Sequence, residues 1–599
     1  MTSAELRRNA RRHGIATSWT VGGRTHHVRD ATLAAVLDAL GPPPAETPQH
    51  PQLTAVAPLP QNRAWGFAVQ LYSLRSRDSW GHGDLRDLAD FATWAARDLG
   101  ASFVLVNPLH AAEPVPPITA SPYTPMSRRF LSPLYLRVED IPEFSERRVD
   151  APKDLRSASA TSALIDRDAV WTAKRKALEQ IFTVPLIPAR QRSLDAYRVR
   201  EGQALTGWAT WCAIAETHGH DYRAWPVRLR DPSSAEVAEF RDAHSQLVAF
   251  HEWLQWQVAE QAADAQRAAL DAGMSIGIVH DLAVGTFPGG FDAWADQEVL
   301  VGGLTVGAPP DGFNELGQNW ALPPWHPGVL AAQGYQPLAD LFDAVCRDAG
   351  ALRVDHIMGL SRLWVIPEGL TPDKGTYLRY DQSATAGVLA DSAARAGALA
   401  IGEDLGTVER GLRNFLSQRN ILGTSMLWFE QSRDGTPLPP RKWRRDSLAT
   451  VSTHDLPPAA AFLTGDYVTQ RAKLGLLTRS EDDERADAKR SLDSWLDALA
   501  RGGLLPRGQT PDATDFTAAL YAYIAESPAL LVCVSLADAV GERQPQNIPG
   551  TTDEYPNWRV PLSDGTGQPV LVEDLPGNAA VRTVARQVDG VGERRNRRA

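Results

Sequence analysis

From Trp65 onward, short apolar runs alternate with longer amphipathic stretches, the pattern of strands laid between helices. WGFAVQLYSL, beginning at Trp65, is apolar enough to be a strand buried on both faces. GHGDLRDLADFATWAARDLG follows, with Leu85, Leu88, Phe91 and Ala95 on one helical face and Gly100 as the stop. ASFVLVNPLH starts the next strand, and strand–helix–strand at this spacing implies a parallel sheet. Further strands are predicted at 275–279, 351–354, 399–401, 424–427, 448–452 and 530–534, with helical stretches between them. The total of eight strands is that of a (β/α)8 barrel, an α/β fold. A doubly wound open sheet is the alternative.

The alternation is interrupted between about 122 and 272 by a mostly helical, tryptophan-containing stretch, read as an insertion carried on one βα loop. Residues 1–40 predict a small independent unit, two short helices flanking a hairpin that turns at Gly22-Gly23. Seven prolines between Pro42 and Pro60 make 41–64 a stiff linker. The barrel then occupies 65–575. Residues 576–599, ending on Arg594, Arg595, Arg597 and Arg598, read as a basic, disordered tail.

Composition narrows the function. A net charge of -11 disfavours a polyanionic partner such as nucleic acid. Three scattered cysteines indicate neither a disulfide framework nor a CxxC metal site. The N-terminus lacks the apolar core of a secretory signal, and no apolar run is long enough for a bilayer, so a soluble, cytoplasmic protein is expected. No dinucleotide fingerprint, P-loop or HExxH occurs, and neither cofactor nor metal is implied. Eighteen tryptophans and twelve tyrosines would suit sugar stacking, but they fill cores equally well.

In a barrel, chemistry belongs at the C-terminal ends of the strands. Asp281, Arg353 with Asp355, Glu403 with Asp404, and His454 with Asp455 each follow an apolar run there. Arg353 and Asp355 are two apart on a strand, so both side chains point to one side. A guanidinium beside Asp355 would hold it ionised, as a nucleophile needs, while partial burial would raise Glu403 and suit it to a general acid. Taken singly, each is better explained as an ion pair or a helix cap. Three carboxylates at the ends of three of these strands, in an aromatic-rich chain, shift the balance toward glycosidic chemistry.

The words around these residues, among them WGFAVQLYSLRS, SPYTPMSRRFLSPLYL, GAPPDGFNELGQNW, LRVDHIMGL, IGEDLGTV, VSTHDLPP and NIPGTTDEYPNWRVPL, resemble bacterial amylomaltases of glycoside hydrolase family 77. They occur in the family's order over roughly 65–562. The resemblance implies a 4-alpha-glucanotransferase acting on maltooligosaccharides and α-glucans, with glucose as an acceptor and a retaining double displacement. It implies Asp355 as nucleophile, Glu403 as general acid/base, and Asp455 as the carboxylate gripping the distorted sugar. Arg353 and His454 would steady the nucleophile and bind the same glucose, Tyr123 would stack on it, and Asp281 would bind hydroxyls. Asp311, Phe313, Gln318 and Trp320 match a loop that covers bound glucan. Two departures stand out. Ala321 occupies a position that is usually glycine, and only the proline-rich linker stands where larger relatives carry a β-rich module. A hydrolase of the α-amylase clan and an inactive glucan-binding barrel are the competing functions. A homodimer is compatible with the sequence but not indicated by it.

Overall fold

The eight predicted strands pair in parallel and close on themselves. The computed structural model describes residues 2–21, 23–42, 55–146, 152–310 and 316–591. The barrel strands are β1 (Ala64–Val69), β2 (Phe103–Val106), β3 (Gly277–Leu282), β4 (Ala351–Val354), β5 (Leu399–Gly402), β6 (Gly423–Met426), β7 (Ser447–Thr450) and β8 (Leu531–Ser535). They run β5-β4-β3-β2-β1-β8-β7-β6 around the sheet. The Leu422 N–H donates to the Ala400 carbonyl at 2.9 Å, and the Gly402 N–H to the Leu422 carbonyl at 2.7 Å, which joins β5 to β6. Phe103, Val279, Ile401, Leu448, Leu531 and Cys533, drawn from five strands, pack together as the barrel interior. The fold is a (β/α)8 barrel with insertions.

The local rules account for the outer layer. Helix Leu85–Leu99 is capped by Asp84, whose carboxylate accepts from the Arg86 and Asp87 N–H groups at 3.0 and 3.2 Å, and it stops at Gly100 with φ 73°. Its predicted apolar face is the buried one. The stretch after β2 carries helices Arg167–Phe182, Pro188–His218 and Ser245–Asp271. The last of these returns to pack along Leu85–Leu99.

Three regions differ from the sequence expectation. The loops after β3 and β4 build a four-stranded antiparallel sheet in the order Thr376–Arg379, Arg362–Pro367, Leu304–Ala308, Gln318–Leu322, which the apolar pattern did not reveal. The N-terminal unit is docked rather than independent. Its two helices are too short to bury their own apolar faces, so Leu6, Val36 and Leu37 pack on Val306, Leu363 and Leu378 of that sheet. The Ala16 N–H donates to the Tyr377 carbonyl at 2.8 Å, and the Arg379 N–H to the Gly14 carbonyl at 3.0 Å.

The expected tail needs correction as far as residue 591. Helix Ala579–Val588 buries Val581, Val584, Ala585 and Val588 and packs against helices Ala513–Ala525 and Leu536–Val540. A helical apolar stripe of this kind is stable only when covered. The four terminal arginines lie outside the described residues. In the linker, residues 43–54 lie outside them as well. Beyond that gap, Ala57 is buried and bonded to the Arg419 carbonyl and the Asn420 amide.

Candidate active site

Strand register brings the charged residues together. Arg353 on β4 is the ladder partner of Asp281 on β3, and Val354 is the partner of Gly402 on β5. Asp355 and Glu403 therefore leave neighbouring strands at the same level, with the strands ~4.8 Å apart. Arg353 is buried and donates from Nη1 to Asp281 Oδ1 at 2.5 Å and from Nη2 to Asp355 Oδ1 at 3.1 Å. Tyr123, on the loop after β2, donates its hydroxyl to Asp281 Oδ2 at 2.8 Å and lies 3.0 Å from His454 Nδ1. His454 Nε2 lies 3.4 Å from Asp455 Oδ2, and Asn547 Nδ2 donates to Asp455 Oδ1 at 2.7 Å. One continuous polar chain thus runs from Asp355 through Arg353, Asp281, Tyr123 and His454 to Asp455. Because the Tyr123 proton is committed to Asp281, Nδ1 of His454 acts as the donor to Tyr123, and Nε2–H faces Asp455.

Glu403 stands apart from this chain. Its two oxygens accept from the Leu405 N–H at 2.6 Å and from the His356 N–H at 3.1 Å. His356 has φ 49°, a left-handed turn that aims its N–H at the carboxyl group.

Burial and charge set the protons. Burial pushes Asp355 up to about 6, against the opposing pull of Arg353. The pairing expected from the sequence is present, but desolvation outweighs it in direction. Burial, then the Asp355 charge, pushes Glu403 up to about 8. Between those values the pair can hold Asp355 ionised and Glu403 protonated. Asp455 stands half-exposed on the cleft wall, where partial desolvation would raise it, yet His454 and Asn547 hold it down at about 2. Burial would lower His454, and the Asp455 carboxylate outweighs it and raises it.

These groups line a cleft of about 1680 Å³, together with Tyr123, Gln318 and Trp320. That exceeds the roughly 300–1,000 Å³ of a drug-sized pocket and suits an extended chain. Trp320 donates its Nε1–H to Gln318 Oε1 at 2.7 Å and meets the His356 ring edge-on at 5.2 Å. Asp311 and Phe313 lie outside the described residues. Sequence reasoning assigned no role to His356, Asn547 or Trp558, although their words, LRVDHIMGL and NIPGTTDEYPNW, were in view. Asn547 and Trp558 are uncharged and lie well past the end of β8, so no pattern marks them, whereas His356 stands directly after Asp355 at the end of β4.

The family model described as 4-alpha-glucanotransferase, glycoside hydrolase family 77, matches residues 69–566. The chain belongs to this family. Similar proteins include the 4-alpha-glucanotransferase of Mycobacterium tuberculosis, 53% identical over 545 residues that span 88% of this chain and 75% of the relative. That of Haemophilus influenzae is 34% identical over 565 residues, 89% of this chain and 79% of the relative. Among solved structures, amylomaltase from Corynebacterium glutamicum aligns with a TM-score of 0.88 at 36% identity, covering 98% of this chain and 100% of that one. Amylomaltase from Streptococcus agalactiae in complex with acarbose shares the fold, with a TM-score of 0.70 at 18% identity over 88% of this chain and 99% of that one.

Ala321 has φ 57°. Glycine adopts this conformation freely, whereas an alanine Cβ crowds its own backbone by roughly 1–2 kcal/mol. Ala321→Gly is expected to stabilise the protein by up to about 1 kcal/mol, after the added freedom of the unfolded chain is subtracted. Equilibrium denaturation checks this, and a destabilised variant would mean that the site tolerates the Cβ without strain.

Proposed function

We propose that the chain moves a segment of an α-1,4-glucan to the 4-OH of glucose or of another α-1,4-glucan, with retention, in two displacements. The Asp355 carboxylate attacks the anomeric carbon. The glycosidic C–O bond breaks as Glu403 gives its proton to the leaving oxygen. The product is a glycosyl ester on Asp355 beside an ionised Glu403. In the second step Glu403 takes the proton of the acceptor 4-OH, that oxygen attacks the same carbon, and Asp355 departs as a carboxylate. Arg353 and Asp281 anchor the nucleophile. Asp455 and His454 grip hydroxyls of the distorted sugar, and Tyr123 stacks on it. Asp311, Phe313, Gln318 and Trp320 cover the glucan and keep water from the ester.

The observation that carries this reading is the pairing of Asp355 and Glu403 at neighbouring strand ends, with protonation preferences that divide them into nucleophile and acid. Family membership favours transfer over a hydrolase or an inactive barrel. Incubating the protein with maltotriose alone tests it. The expected products are glucose and a ladder of longer maltooligosaccharides. Glucose and maltose alone would make it a hydrolase, and binding without turnover an inactive barrel.

A further inference from the structure

Trp558, a bulky residue of the cleft wall, sits in a backbone conformation that favours glycine. Its φ is 61°, where a large side chain without a local polar group gains nothing from its own backbone. Such an outlier persists only where the surroundings over-determine it, and it points to a role for the side chain. The surroundings do so here. The Trp558 N–H donates to the Gln546 carbonyl at 2.8 Å, and the Gln546 side chain accepts from the buried Tyr72 hydroxyl at 2.9 Å. Asn557 accepts from the Ile548 N–H at 2.9 Å and donates to the Thr551 hydroxyl at 2.8 Å. Arg559 accepts from the Ile165 N–H at 2.9 Å and donates from Nε to the Ile165 carbonyl at 3.2 Å.

This bracing delivers the buried indole to two residues of the site. Its ring centroid lies 5.2 Å from that of Tyr123 and 5.3 Å from that of His454, which are themselves 4.6 Å apart. The three rings close a triangle. Tyr123 is held through its hydroxyl alone and His454 through its two ring nitrogens, which leaves each ring free to turn about its polar contacts. The third ring removes that freedom. The same loop reaches Asp455 through Asn547.

We propose that Trp558 is a positioning residue of the transfer reaction, whose ring fixes the tilt of Tyr123 and His454 against the distorted sugar. The proposal rests on the placement of Tyr123, His454 and Asp455 around that sugar. A positioning residue acts on groups whose contacts strengthen in the transition state, so its loss falls on kcat more than on KM.

Trp558→Gly removes the ring while keeping a residue suited to the backbone, and Trp558→Phe restores a ring. With maltotriose as substrate, Trp558→Gly is expected to lower kcat by about 10- to 100-fold with KM changed by less than about threefold, and Trp558→Phe to recover most of the loss. Thermal unfolding of each variant shows that it is folded at the assay temperature. If Trp558→Gly is unfolded there, Trp558→Leu makes the same comparison. Unchanged kcat in the ring-less variant overturns the proposal. So does a loss confined to KM, which would make the indole a sugar platform, and so does a failure of phenylalanine to recover activity. A wild-type protein without disproportionation would defeat the transferase reading itself, and this inference with it.

Discussion

Asp355→Asn is expected to abolish glycosyl transfer, lowering kcat on maltotriose on the order of 10⁵-fold, the scale seen when a covalent nucleophile is removed. Asparagine keeps the shape of the side chain and a hydrogen-bonding oxygen for Arg353, but it cannot form the ester. The fold should not suffer. The Asp355 carboxyl is raised by burial to about 6, so its ionised form is disfavoured in the folded protein. The sign follows directly. A carboxyl raised on folding costs stability at pH values above its folded value, and this cost vanishes below its ordinary value of about 4. The variant should therefore unfold no earlier than wild type at pH 8. Arg353 retains its bond to Asp281 at 2.5 Å, so no buried cation is left unpaired. Activity within about a hundredfold of wild type would remove Asp355 from the nucleophile's role. Lost activity with a lowered Tm would show a structural role instead.

The second large effect concerns Glu403. Glu403→Gln should lower kcat about 10²- to 10⁴-fold, because glutamine cannot give its proton to a leaving sugar oxygen. The pH profile separates this from a positional effect. With Asp355 at about 6 and Glu403 at about 8, wild-type kcat/KM is expected to be bell-shaped. It falls below about pH 6 as the nucleophile is protonated and above about pH 8 as the acid loses its proton, and both limbs belong to the interacting pair. In Glu403→Gln the alkaline limb should disappear and the acid limb remain. Transfer from a donor with a good leaving group, such as an aryl maltooligosaccharide, should be less impaired than transfer from maltotriose, since such a group departs unprotonated. An alkaline limb that survives the substitution would assign it to another group.

Much of the barrel was legible in the sequence for one reason. Strands buried on both faces read as unbroken apolar runs, and each of the eight predicted runs overlaps an observed strand. The same property marked the candidate site, since a charged residue directly after such a run stands at the C-terminal end of the barrel. The C-terminal helix was legible in principle. Val581, Val584 and Val588 are spaced for one helical face, but the arginines beyond them drew the whole segment into a tail. The antiparallel sheet was not legible, because its four short strands are drawn from two separate loops and pair only once the barrel holds those loops side by side.

Within the site, residue types and order along the chain came from the sequence, and partnership came from the fold. Nothing local to Asp281 announces that it will share Arg353 with Asp355, or that Tyr123 will bridge it to His454 across more than a hundred and fifty residues on one side and three hundred on the other. The upward displacement of Asp355 was likewise invisible, because a neighbouring arginine can be read from the sequence and the surrounding desolvation cannot. Trp558 shows the same divide. Its identity was in plain view, but its left-handed backbone and its two ring contacts exist only where distant segments converge. By itself, the sequence determined the barrel and the placing of the three candidate carboxylates after its strands, since periodicity and strand-end position are properties of a single segment. Burial, proton distribution and ring packing were decided by the tertiary structure alone, because each depends on the distance between segments that the chain order leaves unspecified.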